Sequence, residues 1–402
     1  MLKSVKQSVA LYRDNVARLN PQKGSKVVVA MSGGVDSSVV AGLLAKQDYD
    51  LSAVFMRNWD TRDESGTDQG CEWKKDWADV QKVCKVLDIP CRLVDLSREY
   101  WTRVFEPSLH TWETGGTPNP DIWCNKEVKF GALVQRLTSP DTWLATGHYA
   151  RKGWSSPPSL LSHLVSSAQT PIRPKLLRPL DRHKDQTFYL SSISEESLAR
   201  SIFPIAHLNK PEVRKLAHEW GLPTAERDES MGICFVGQKR RFDDFLAKYI
   251  PPNPGPIVEL ATGRVIGTHN GLWSFTIGQN ARVKGMPEKM FVCEKDIEKN
   301  TLYVVPGSNH PTLYKSGLVV RDWRWIWSDS PPPEIDTPSG FRARLQYRHR
   351  MMDVACTVHR GDNDAELRID FDDPQHAVAP GQVAVIWSDD WCLGCGIIDK
   401  AT

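Results

Sequence analysis

Residues 26–46 read KVVVAMSGGVDSSVVAGLLAK. A run of apolar, β-branched residues ends in Ser-Gly-Gly, and a second apolar run with a different period begins at once. The first run reads as a buried strand and the second as a helix, so the chain must build a strand–turn–helix unit here. The glycine pair lets the backbone turn tightly and approach a ligand closely. The N–H groups that open the helix carry partial positive charge and attract phosphate. The candidate phosphate loop is therefore Ser32, Gly33, Gly34, Val35, Asp36, Ser37 and Ser38. The three serines add hydroxyl donors, and Asp36 is the candidate for placing Mg²⁺. A Walker loop would add a lysine that reaches the β and γ phosphates. None stands at that position, so the loop need not present the γ-phosphate for transfer.

The segments that follow extend this unit. LSAVFM, CRLVDLS and TWLATGHYA read as further strands. WKKDWADVQKVCKVL places Trp77, Val80, Cys84 and Leu87 on one helical face. NKPEVRKLAHEWGLP is a marked helix: Asn209 caps it, Pro211 lies in its first turn and Gly221 ends it. Strands alternating with helices predict a doubly wound parallel α/β sheet, with ligands bound beyond the strands' carboxyl ends. The second half consists of short β-like runs broken by Gly, Pro, Asn and Asp, which predicts small barrels or sandwiches. The expected division is a catalytic domain over 1–234, a β-rich connector over 235–311 and a C-terminal β-barrel over 312–402. Residues 153–175, rich in Ser and Pro, read as a mobile surface insertion.

The 402 residues exceed what one hydrophobic core usually serves. A formal net charge of +2 does not announce nucleic acid, so any RNA site has to be a local patch. No apolar run is long enough to span a membrane. Nine cysteines without a framework spacing argue for free thiols in a reducing compartment. Cys84 and Cys91 read as small buried hydrophobes, and Cys71, Cys293 and Cys356 lean the same way. Cys392 and Cys395 form a lone C-x-x-C, without the second pair or histidines that zinc needs. The basic N-terminal stretch admits a mitochondrial presequence or an ordinary surface helix, and Asp14 weighs against the first. In TPNPDIWCNKEVKFGAL, two prolines set a turn, and Asp121, Cys124 and Asn125 precede a helix. A thiol near a helix N-terminus tends toward a reactive thiolate.

Two resemblances narrow the chemistry. SGGVDSS after a strand resembles the loop of the N-type ATP pyrophosphatases, which split ATP between the α and β phosphates. Argininosuccinate, GMP, NAD and asparagine synthetases look similar here, so the loop does not name a substrate. SGGVDSSV, TPNPDIWCNKEVKF, ATGHYAR, LDRHKDQTFYL, GICFVG, APGQ and CLGCGII, in that order, resemble the tRNA-specific 2-thiouridylases from about residue 26 to the end. FMRNWD and CEWKKDWADVQKVCKVLDIP are more similar to the mitochondrial eukaryotic branch than to the bacterial one, which implies a mitochondrial location, with a cytoplasmic one as the alternative.

The resemblance implies ATP-dependent 2-thiolation of the wobble uridine in tRNAs for Lys, Glu and Gln, with a cysteine desulfurase or sulfur carrier as donor. It implies that Cys234 carries a persulfide and that Cys124 is the nucleophile, 234 − 124 = 110 positions away, with a disulfide formed in turnover. Asp121 is the implied acid/base or orienting group, and Asn119 and Pro120 wall the target base. Met56 and Gly147 match adenine-binding positions. His148, Lys184, Asp185, Gln186 and Gln382 match tRNA contacts; for His148 the plainer reading is a satisfied histidine at a strand end. In ARLQYRHR, Gln346 stands where the family usually has Arg before Tyr347. Tyr347 is expected to stack on a base, with charge from Arg344, Arg348 and Arg350. Lys239 to Arg241 form a further basic patch, expected on phosphate. A second route ligates an iron–sulfur cluster through Asp121, Cys124 and Cys234, three ligands where four cysteines are usual. The rivals are a small-molecule ATP pyrophosphatase, which needs no Cys234, and a catalytically idle tRNA-binding protein.

Overall fold

The computed structural model describes residues 19–59, 72–137, 139, 141–155, 171–228 and 242–402. Its contacts divide the chain into two units, Met1–Tyr100 with Asn125–Met231, and Trp101–Cys124 with Gly232–Thr402. By contacts, then, Trp101–Cys124 goes with the second unit, although it is interposed in sequence within the first.

The first unit is a parallel sheet. Its strands are β1 (Lys26–Met31), β2 (Asp50–Arg57), β3 (Cys91–Asp95), β4 (Trp143–Thr146) and β7 (Ser201–Ile202), in the order β3-β2-β1-β4-β7. Val27, Val28 and Val29 are all buried, so β1 is covered on both faces, as parallel strands must be. Helices α1 (Val35–Ala45), α2 (Glu72–Leu87) and α3 (Lys210–Glu219) supply the cover. Val80 and Cys84 of α2 enter the core, with Trp77 and Leu87 packed against it. Pro211 lies in the first turn of α3, where a missing N–H costs nothing. The Asn209 backbone N–H donates to Glu212 Oε2 at 2.7 Å. The strand order reverses direction between β1 and β4, so the crevice at their carboxyl ends is the ligand position.

β5 (Arg151–Trp154) and β6 (Pro174–Leu177) form an antiparallel ladder with Gly153 opposite Lys175 and Trp154 opposite Pro174. The ends of the Ser/Pro segment are therefore strand, which corrects the reading of 153–175 as one mobile insertion. Backbone pairing joins residues whose local composition signals a loop. Its middle, 156–170, lies outside the described residues.

In the second unit, β8 (Gly255–Glu259), β9 (Val265–His269), β10 (Met290–Asp296) and β11 (Thr301–Pro306) form a sheet of order β10-β11-β8-β9 over Ile257, Met290, Val292, Leu302 and Val304. β12 (Tyr314–Trp325), β13 (Phe341–Gln346), β14 (Val354–Arg360), β15 (Leu367–His376), β16 (Val383–Ser388) and β17 (Trp391–Ala401) follow in the order β12-β15-β14-β13-β16-β17. Pairing of β12 with β17 closes this antiparallel barrel and removes its edges. The segment Trp101–Cys124 contributes Phe105, whose ring meets Phe245 and Tyr249 edge-on.

Candidate functional site

The glycine loop lies where the sheet order predicts a ligand. Gly33 adopts φ +78°, a conformation that L side chains rarely take, and a Cβ there would lie 2.8 Å from the Asp76 carbonyl oxygen. No side chain caps α1 at Gly34, so the opening N–H groups face the crevice without an internal acceptor from a cap. Gly147, just past β4, packs so closely that a Cβ would stand 2.8 Å from the Ser37 nitrogen. Met56 is half-buried at the carboxyl end of β2. These features fit the phosphates of a nucleotide at a helix start.

Two expectations for the loop are corrected. Ser37 and Ser38 are buried, and both hydroxyls donate to the Gly34 carbonyl, at 3.1 and 2.9 Å. These hydroxyls brace the loop, which leaves the first-turn backbone N–H groups for a phosphate; Ser32 is the exposed serine. Asp36 does not fit the Mg²⁺ role. Its carboxylate accepts from Lys210 Nζ at 2.7 and 2.8 Å and from the Tyr149 hydroxyl at 3.0 Å. Lys210 starts α3, 174 residues away, and its own backbone N–H donates to Asp181. Arg227 holds the other side of the loop: Nη1 donates to the Gly33 carbonyl at 3.0 Å and to Asp79 at 2.7 Å, and Nη2 pairs with Asp76. The cation that the loop sequence lacks is thus present beside it, from elsewhere in the fold.

The second locus is the helical turn Pro120–Trp123, continued by a π-helix over Cys124–Ala132. Pro120 is buried, and Asn119 and Asp121 are half-buried. Cys124 is 4% exposed. The sequence predicts an approachable thiolate at a helix start; the structure places the thiol inside, in a widened helical turn of the kind that marks functional sites. Cys234 lies outside the described residues, as do Cys71, Lys239 to Arg241 and the N-terminal stretch 1–18. Among the described residues, no group of three or more His, Cys, Asp or Glu is placed to hold a metal ion.

The residues matched to tRNA contacts divide sharply. His148 is buried beside Phe130 and Phe203, with Nδ1 2.8 Å from Thr146 Oγ1. Burial, with the charge of Lys129, holds its pKa well below the usual histidine value, so it is a neutral ring. Asp185 pairs with Arg178 at 2.9 Å, and Gln186 accepts the Tyr149 N–H at 2.9 Å, which fixes the loop after β4. Lys184 is half-buried in the 3₁₀ turn Arg182–Lys184, which Asp181 caps. Tyr347 is 4% exposed, packs on Phe371 and donates to the His376 carbonyl at 3.2 Å. Stacking of Tyr347 on a base is therefore corrected: just past the end of β13, its ring is part of the barrel core. Gln346 is buried as well and donates to the Met351 carbonyl at 3.2 Å. Arg344, Arg348 and Arg350 face solvent, and Arg344 is paired with Asp353 at 2.7 Å. Gln382 donates to the Thr117 carbonyl at 2.8 Å.

Of the other described cysteines, Cys84, Cys293, Cys356, Cys392 and Cys395 are buried and Cys91 is half-buried. Burial pushes the Cys84 thiol up to about 12, with neighbouring Cys91 adding to the shift, and pushes Cys356 to about 12 and Cys293 to about 11. Cys392 and Cys395 are buried on β17. Lys210, Tyr149 and Arg227 escape the sequence reading, because each acts across the fold with no local pattern to mark it.

Comparison with known proteins supplies the family. Residues 25–238 match the model described as tRNA methyl transferase HUP domain. Residues 243–306 match the tRNA methyl transferase PRC-barrel domain and 315–398 the aminomethyltransferase beta-barrel domain. The chain is 41% identical to the tRNA-specific 2-thiouridylase MnmA of Idiomarina loihiensis over 383 residues, covering 93% of this chain and 96% of that protein. It is 42% identical to the same-named protein of Vibrio cholerae over 390 residues, covering 95% and 97%. Among solved structures, the U34-tRNA thiolase NcsA of Methanococcus maripaludis with its [4Fe-4S] cluster matches at TM-score 0.33 and 18% identity, over 62% of this chain and 74% of that one. Near-complete coverage at such identity, together with the glycine loop at the sheet crossover and the helical turn bearing Cys124, makes this chain a member of the tRNA-specific 2-thiouridylase family.

Proposed function

We propose that this protein replaces the C2 oxygen of the wobble uridine in tRNA by sulfur, at the expense of ATP. The carrying observation is membership of the family over 93% of the chain, with an uncapped glycine loop and Cys124. The family-model description speaks of methyl transfer. A methyl transfer calls for no ATP-made leaving group, whereas thiolation needs one. The start of α1 and the cations Lys210 and Arg227 bind and orient the phosphates. The uracil O2 attacks the α-phosphorus, pyrophosphate departs, and C2 then carries an AMP leaving group. The terminal sulfur of a Cys234 persulfide adds to C2. Cys124 attacks the inner sulfur, AMP leaves with the oxygen, and a Cys124–Cys234 disulfide remains for reduction by an external dithiol. Asp121 orients the base between Asn119 and Pro120.

The substrate set is the tRNAs for Lys, Glu and Gln, the donor is a cysteine desulfurase or its carrier, and the compartment is the mitochondrion. The persulfide route is preferred to an iron–sulfur cluster because it needs only the two thiols. The test is one incubation with ATP, Mg²⁺, a sulfide source and unmodified glutamate tRNA. Nucleosides are read by mass spectrometry and AMP in parallel. Formation of 2-thiouridine with stoichiometric AMP is expected; AMP without 2-thiouridine, or neither, overturns the reading. Cys234→Ser is expected to keep AMP formation and to lose thiolation from a desulfurase donor.

A further inference from the structure

The backbone that leads into Cys124 is held from two places far along the chain. Gly115 to Thr117 stand immediately before the Asn119-Pro120-Asp121 turn. Lys295, on β10, donates from Nζ to the Gly115 carbonyl at 2.8 Å. Gln382, just before β16, donates from Nε2 to the Thr117 carbonyl at 2.8 Å. The Thr117 N–H donates to the Pro380 carbonyl at 3.0 Å, and its hydroxyl lies 3.4 Å from that of Thr276. Between Pro380 and Gln382, Gly381 adopts φ +88° and approaches so closely that a Cβ would stand 2.5 Å from the Thr117 nitrogen. The connector and the barrel therefore grip the same three residues by their main-chain groups. Burial pushes the Lys295 pKa down to about 7, so this ammonium is kept at a cost. Its hydrogen bond goes to a carbonyl, and among the described residues no carboxylate pairs with it to offset that cost.

We propose that Lys295 and Gln382 are positioning residues for Cys124, and that through them the connector and barrel set where the nucleophile's helical turn sits. What Cys124 does in catalysis rests on the thiolation reading; where it is held does not. RNA docked on the barrel then bears on the nucleophile through the Pro380–Gln382 turn, and the same device keeps the thiol covered until that contact is made.

The test reads Cys124 directly, without ATP or tRNA. Full-length protein, Lys295→Met and Gln382→Leu are alkylated with iodoacetamide, and the rates at Cys124 and Cys356 are followed by peptide mass spectrometry. Each variant is expected to speed alkylation of Cys124 by about fivefold, the effect of losing one hydrogen bond that opposes local opening. Cys356, buried in the barrel core, should not change. The double variant should fall short of the product of the singles, since both grip one segment. In turnover, thiolation kcat should drop by up to about 10²-fold, as for a misplaced reacting group, with the KM for ATP unchanged. Lys295→Arg should restore part of it. An unchanged Cys124 rate in both variants overturns the proposal, and so does an equal rise at Cys356, which is general loosening. If Lys295→Met does not fold, Gln382→Leu decides alone. A wild type that makes no 2-thiouridine overturns the functional reading and leaves the alkylation result standing.

Discussion

The glycine loop and the approach to Cys124 are both held by residues distant in sequence, but by different means. Around the loop, charge pairs dominate, Lys210 with Asp36 and Arg227 with Asp76 and Asp79, and Arg227 adds one hydrogen bond to the Gly33 carbonyl. At the approach to Cys124, the acceptors are main-chain carbonyls, those of Gly115 and Thr117. A charge pair is sensitive to loss of either partner, because the survivor is left uncompensated. A carbonyl strap is local and tolerates loss of one donor with a smaller shift. The first arrangement suits a rigid phosphate cradle. The second suits a segment that must be placed and released.

The comparison is broken most directly at Cys124 itself. Cys124→Ser should abolish 2-thiouridine formation while AMP release with tRNA persists; loss of both would put Cys124 in the adenylation step. A smaller effect is expected at the loop. Lys210→Met should lower stability by about 2 kcal/mol in urea titrations, less than for a wholly buried pair because Asp36 is partly exposed, and should weaken ATP binding. Adding Asp36→Asn should recover part of the stability; a fully additive double variant would deny the pair its role. Smaller again is Tyr347→Phe, which removes one hydrogen bond to the His376 carbonyl, about 1 kcal/mol. Its tRNA affinity should stay within twofold, roughly the limit for a group that makes no RNA contact. A large loss of affinity would return Tyr347 to the RNA surface.

The smallest effect is one of pH. Lys295 on β10 and Lys152 on β5 are both held at about 7, by burial and, for Lys152, by the charge of Arg200 as well. Their ordinary value is 10.5. Between those values the unfolded chain binds more protons than the folded one, so these groups make stability rise with pH across that window. Their penalty is complete below about 7 and gone above 10.5. Lys295→Met should remove its share of the rise and leave that of Lys152, measured as the urea midpoint from pH 7 upward. An unchanged slope would show that the Lys295 proton is not coupled to folding.

Much of the fold was legible because its signals are local. Periodicity marked β1, α1, α2 and α3, and Asn209, Pro211 and Gly221 bounded α3 from within its own segment. The Gly33 turn was legible for the same reason. The partners of those elements were not. Nothing near Lys210 in sequence points to Asp36, and nothing near Gln382 points to Thr117. Tyr347 was misread because an aromatic beside arginines looks like a stacking surface in sequence, and only the closed barrel shows that its ring fills the core. Gly153 and Lys175 were misread because a ladder pairs residues whose composition alone resembles a loop.

By itself, then, the sequence determined the class of the fold, the phosphate-binding turn and, through the order of its motifs, the family, since each depends on short-range pattern. Only the tertiary structure decided which charges neutralise Asp36, which serines face inward, that Cys124 is covered, and that the barrel's Gln382 holds the Thr117 carbonyl. Those depend on burial and hydrogen-bond geometry between segments up to 265 residues apart, which no local pattern encodes.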